Sequence, residues 1–208
     1  MLRDLDDSLE ALLGSELAEL GDQVAISFAA PDEDFPPDGV SLPAVDLFLY
    51  DIRENRELRV GQRSRVERRG DGLSEISEPL WIDCSYLVTA WSNASGRHAA
   101  RDEHYLLGLL MGALLRHQVL PKDVLKGDLK NSETLIRAEA LQPNRLQSTG
   151  EFWQALGGKP KASLSLTVTV GWTLPLADRS LAPVRERQIE IVASPPGRAP
   201  SSSHDANG

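Results

Sequence analysis

With 208 residues, 41% of them hydrophobic and 25% charged, the chain has the make-up of one soluble globular domain plus a tail, and a fold of this size removes about 70% of its unfolded surface from water without needing disulfides or metals. The single cysteine, Cys84, excludes an intramolecular disulfide, a zinc site of several thiolates and a Cys-x-x-Cys redox pair, and it points to a reducing cytoplasm. The net charge of −9 hides an asymmetry: residues 1–51 carry thirteen acids against one base, Arg3, whereas residues 52–208 carry eighteen acids against twenty-one bases, a balance that argues against nucleic acid and for self-association.

The opening Met-Leu-Arg-Asp-Leu-Asp-Asp is acidic and lacks the basic start and apolar run of a signal peptide, so the chain is expected to stay where it is made. Leu2, Leu5, Leu9, Leu12 and Leu13 recur at helical spacing, with Leu17 and Leu20 extending the stripe beyond Gly14-Ser15 towards Gly21. Val24, Ile26 and Phe28 then alternate as a strand. The acidic, Pro-rich stretch 31–43 reads as a solvated loop, because the alternating ligands and closing Glu of a calcium loop are missing. Val45 to Asp51 is apolar at nearly every position and reads as an inner strand covered on both faces.

Residues 53–80 are charged and carry Arg59, Arg63, Arg65, Arg68 and Arg69 ahead of Gly70-Asp71-Gly72, the pattern of an arm or hairpin turning at Asp71-Gly72. These arginines lack interleaved aromatics on which a base would stack, so an acidic protein surface suits them better than nucleic acid. Trp81 to Ala90 reads as a strand that contains Cys84. A helix is expected from about Arg101 to His117, with Asp102 and Glu103 in its first turn and Arg116 and His117 in its last, charges that complement its dipole. Its Gly108-x-x-x-Gly112 reads first as close packing in a soluble core and second as a subunit contact; its longest apolar run, Leu106 to Leu115, is too short to span a bilayer.

Periodicity leaves Glu133 to Leu141 open between strand and helix, and its turn-like flanks favour strand. Ser148-Thr149-Gly150-Glu151 matches a capping box opening a short helix through Phe152, Trp153 and Leu156, stopped by Gly157-Gly158. Leu164 to Leu174 alternates apolar and polar side chains as a long strand. Arg187 to Val192 offers an edge strand, and 195–208 is a Pro, Ser and Gly rich tail expected to be disordered.

Nucleotide, metalloprotease and hydrolase signatures are all missing from the sequence. Cys84 with His104 or His117 as base would make a nucleophilic pair, but a cysteine inside an apolar strand reads as buried and inert. His98 and His104 stand six residues apart, which is not ligand spacing on one helix face. No catalytic residue, cofactor site or metal site is predicted.

Leu2-Arg-Asp-Leu-Asp, the string Asp46-Leu-Phe-Leu-Tyr-Asp-Ile-Arg-Glu-Asn55 and Tyr86-Leu-Val-Thr-Ala-Trp91 occur in order along the chain. Asp102-Glu-His104, Leu114 to Pro121, Phe152 to Gly158 and the Leu164 to Val170 strand follow them. Together they resemble the N-terminal domain of the tail terminator, or cap, proteins of extracellular contractile injection systems of the antifeeding-prophage and Photorhabdus virulence cassette type, over roughly residues 2–192. The resemblance implies a mixed α/β (α+β) fold, a sheet flanked by helices as in phage tail terminators. It also implies a homo-hexameric ring that closes the inner tube at the end far from the baseplate, contacts tube and sheath proteins, and carries out no catalysis. A connector elsewhere in a contractile particle is the alternative. For the ring itself, the five arginines Arg59, Arg63, Arg65, Arg68 and Arg69 are the predicted contact with acidic surface on a neighbouring subunit or on the tube, since ring closure joins two different faces of the subunit.

Overall fold

The structure, a computed structural model, describes residues 1–18, 24–59, 65–69, 72–76, 79–142, 149–173 and 180–181; at 65–69, 72–76, 149 and 180–181 the backbone alone is described. The leucine spacing at the start produces one helix, α1 (Leu2–Ala18), which runs through Gly14 without a break. Leu5, Leu9, Leu12, Leu13 and Leu17 are all buried along one side, each stabilising the fold by roughly 1.5–3 kcal/mol of side-chain transfer. Strand β1 (Ala25–Ser27) is followed by the loop 28–43 and then by β2 (Ala44–Glu54). The loop is less solvated than its charges suggest: Pro31 and Phe35 are buried, and the Phe35 ring stacks on Trp91 with centroids 4.3 Å apart.

The arm contains β3 (Arg65–Arg69) and β4 (Gly72–Ile76), paired antiparallel with Arg69 opposite Gly72. It is not a lone hairpin, because β8 (Ser180–Leu181) pairs with β4 and makes a three-stranded sheet in the order β3-β4-β8. Strand β5 (Leu80–Trp91) leads to α2 (Arg97–Arg116). This helix begins four residues before the expected start, so its first turn has no acid. Asp102 instead accepts a hydrogen bond from Ser92 Oγ, and Glu103 pairs with Lys161 at 2.7 Å. A 3-10 turn (Gly127–Asn131), β6 (Arg137–Ala140), α3 (Thr149–Ala155) and β7 (Ser163–Trp172) complete the described chain. The ambiguous Glu133 to Leu141 segment thus contains a strand. The expected strand at 187–192 and the tail at 195–208 lie outside the described residues.

The main sheet has the order β1-β2-β5-β7-β6, with β1 parallel to β2 and every other pair antiparallel. Its even-numbered positions on β5 and β7, from Cys84 through Ala90 and from Leu166 through Val170, pack with α1 and α2 into one core. Tyr86, fully buried in β5, donates its hydroxyl to Asp6 of α1 at 2.8 Å. The first half of α1 is tied to the start of the 3-10 turn, where Ser8 Oγ accepts from the Lys126 N–H at 2.9 Å and Asp4 from the Asp128 N–H at 3.2 Å. Its far end is tied to α2, with Glu16 meeting both Arg116 and His117.

Residues of the opposite parity face the other way. One end of this second face is covered by α3, whose Phe152 meets Phe48 and Tyr50 at 6.2 and 6.1 Å between centroids and whose Trp153 is buried. Tyr50 is the extra residue of a bulge, since Leu49 lies opposite Tyr86 and Asp51 opposite Ser85. Beyond it the parity of β2 reverses, so Ile52 joins the face of Cys84 and Arg53 the face of Asp83.

Candidate functional site

The other end of the second sheet face is polar. Two rungs cross four strands: Arg53, Asp83, Thr169 and Arg137 lie in register in one, and Asp51, Ser85, Thr167 and Glu139 in the next. Asp83, Ser85 and Thr169 are buried although a β-sheet interior would accommodate apolar side chains at lower cost. Thr169 donates its hydroxyl to Asp83 at 2.8 Å, and Asn55 donates its side-chain amide to both Asp83 oxygens at 3.0 and 3.2 Å. An open cavity of about 420 Å³ lies beside these groups, lined among others by Asn55, Leu58, Arg137 and Glu139. A second of about 560 Å³ continues past Arg53, Glu54 and Arg56. This end of the sheet is where the arm leaves β2 and returns to β5.

Of the five predicted contact residues, Arg59 is at the root of the arm, half-exposed and paired with Glu54 at 3.3 Å. Arg65, Arg68 and Arg69 lie on β3, opposite Ile76, Leu73 and Gly72. Arg63 lies outside the described residues. The arm therefore gathers three of the five arginines on one strand, with the fourth at its base.

The other groups singled out in the sequence do not assemble a reactive centre. Cys84 is fully buried, and burial pushes its thiol up to about 11. His98 and His104 are exposed on α2, whereas His117 caps the helix end and meets Glu16 at 2.8 Å. Among the described residues no three His, Cys, Asp or Glu side chains gather as metal ligands. The Gly108-x-x-x-Gly112 pair departs from the core reading. Gly108 is exposed, with no heavy atom within 4 Å of where a Cβ would stand, and Tyr105, Met111 and Leu115 are exposed on the same helix. No helix is long and apolar enough to cross a membrane among the described residues.

Sequence reasoning missed two buried acids. Asp83 interrupts a strand otherwise rich in aromatic and β-branched residues, and that interruption is the signal that marks it. Asp46 is the second: fully buried on β2, it has neither oxygen hydrogen-bonded among the described residues, and burial pushes its carboxyl up to about 7, with Ser27 and the Ala29 N–H close enough to moderate the rise.

Comparison with solved structures finds the sheath/tube terminator of PVC, an extracellular contractile injection system, in its extended state; it is 25% identical with a TM-score of 0.67, over 94% of this chain and 65% of that one. The anti-feeding prophage cap, a tube-terminating cap, is 23% identical with a TM-score of 0.62, over 92% of this chain and 62% of that one. The chain thus spans a little under two thirds of the length of each. No curated protein sequence matches it. The sequence pattern of the Pvc16 N-terminal domain matches residues 4–187, and the chain, with the α+β sheet just described, belongs to the Pvc16 N-terminal domain family.

Proposed function

We propose that this chain is a structural cap: about six copies form a ring that closes the inner tube of a contractile injection particle at the end far from the baseplate and holds the last ring of sheath. The observation that carries the reading is the likeness to the PVC sheath/tube terminator over 94% of the chain. In this reading residues 1–192 are the terminator-like domain and 193–208 a tail. The partners are other copies of the chain, the tube protein and the sheath protein, and assembly takes place in the cytoplasm in a particle released on lysis. The chain acts without a cofactor or a catalytic step; a reaction built on Cys84 would lack a usable nucleophile, because the thiolate is disfavoured by burial.

Closing a ring joins unlike faces. The arginines of the arm meet acidic surface contributed by the first 51 residues of the next copy, where thirteen acids face one base. The test is the mass of the purified chain by light scattering, alone and with tube protein, at low and moderate salt. A ring, or one that forms on adding tube protein, is the expected result; a monomer indifferent to tube protein overturns the capping reading. Reversing Arg63, Arg65 and Arg68 to Glu is expected to lower assembly by about tenfold and to flatten its salt dependence. Unchanged ring size and particle capping would remove the arm from the interface.

A further inference from the structure

Strand β2 gives way to the arm at Asn55, and every polar group of that residue's side chain is engaged. The backbone N–H donates to the Trp81 carbonyl at 2.8 Å, the final rung of the β2–β5 ladder. The side-chain amide donates to Asp83, while the side-chain carbonyl accepts the N–H groups of Glu57 at 3.1 Å and Leu58 at 3.0 Å. Residues 55–58 are thereby wrapped around one side chain, an Asx-type turn. Arg59 is then drawn back to Glu54.

Such a turn needs only Asn or Asp at its first position; it does not need a buried acid beneath it. Asp83 is 3% exposed on β5, and a buried carboxylate is costly unless donors surround it. It receives donors from two directions, Thr169 within the sheet and Asn55 outside it. A cavity of about 420 Å³, lined by Asn55, Leu58 and Asp83 among others, opens beside the turn.

We infer that Asp83, Asn55 and Thr169 form a positioning clamp that fixes the direction in which the arm leaves the sheet, and hence where its arginines meet the neighbouring copy. This rests on the reading of the arm as the ring contact. None of the three touches the partner in this scheme; they act through the turn. The clamp also accounts for the Asn that closes the Asp51-Ile-Arg-Glu-Asn55 string.

An exchange of the two side chains tests it. Asn55→Ala removes the clamp without adding charge, and Asn55→Asp sets two carboxylates against each other. The double variant Asn55→Asp with Asp83→Asn reverses donor and acceptor: the amide at 83 donates to the carboxylate at 55, which accepts the Glu57 and Leu58 N–H groups, and Thr169 donates to the amide oxygen, so that one hydrogen bond joins 55 and 83 in place of two. Two readouts are taken on each full-length variant, amide hydrogen exchange at Glu57 and Leu58 and assembly with tube protein by light scattering. Either single variant is expected to speed exchange at both amides and to cut assembly, each by about tenfold or more, and the double variant to restore both to within about twofold. Unchanged exchange in Asn55→Ala, or a folded double variant that fails to restore it, overturns the clamp. Faster exchange with undiminished assembly overturns its role in placing the arm. If reversal of Arg65 and Arg68 to Glu also leaves assembly intact, it is the arm contact that falls, and the exchange data still decide on the clamp.

Discussion

A carboxyl whose burial raises it to about 7 makes Asp46 a titrating group inside the sheet rather than at its surface. Its ordinary value in the unfolded chain is near 3.8, so between about pH 4 and pH 7 the folded state holds a proton that the unfolded state has released. Stability from this group is therefore fully present below about pH 4 and falls as the pH rises to about 7. Asp46→Asn removes the titration while keeping the shape. The variant is expected to match the parent near pH 4 and to exceed it at pH 8 by on the order of 3 kcal/mol in urea unfolding; equal stabilities at both pH values would show that the carboxylate is solvated or paired. Asp4 and Glu16 run the opposite way: the first is held low by the N-terminal amine and the Asp128 N–H, the second by Arg116 and then His117. What they add is present at neutral pH and lost on acidification.

At the level of elements, two glycines make opposite demands. Gly108 is a helical residue of α2 with open space around it, so Gly108→Ala is expected to stabilise the isolated chain by about 0.5–1 kcal/mol through helix propensity. Gly127 has φ +50° and an Asp4 carboxylate where a Cβ would project, so Gly127→Ala is expected to destabilise it by roughly 1–3 kcal/mol, by strain and by loss of the tie to α1. Thermal melts of the two variants check the signs. The helices and strands themselves were largely legible in the sequence, since α1 and β7 carry a clear period of 3.6 or 2, and β2 and β5 stand out as runs of apolar, β-branched and aromatic residues. The start of α2 was not: no Ser, Thr, Asn or Asp caps it, and Gly96 precedes it with no side-chain cap bond, so the acids at 102 and 103 drew the expected boundary inward. The pairing of β4 with β8 was illegible for another reason, because a strand of two residues carries no period. The clamp beneath the arm was hidden because it joins residues 28 positions apart, and only the register of β2 on β5 brings them together.

At the level of the whole molecule, the arm's strands pair with one another and with β8, and none of the described pairings joins them to the main sheet. The two ends of the arm, in contrast, meet: Glu54 lies opposite Ile82, and Asn55 is bonded to Trp81. Replacing residues 60–78 by a short Gly-Ser loop is expected to leave the main sheet folded, with a closely similar far-ultraviolet circular dichroism signal per sheet residue and a cooperative melt, and to abolish ring formation. Loss of the cooperative melt would show that the arm is part of the core. The strand order carries one more consequence, for the order in which the chain emerges from the ribosome. Strand β7 sits between β5 and β6, yet it begins about seventy residues after β5 ends. Through the synthesis of everything between them, one edge of β5 stays open, flanked by an apolar row from Ile82 to Ala90 that awaits its neighbour. An unpaired edge of this kind templates association with other chains, so during translation the cell must protect the same sheet that, once closed, has only short strands at its margins.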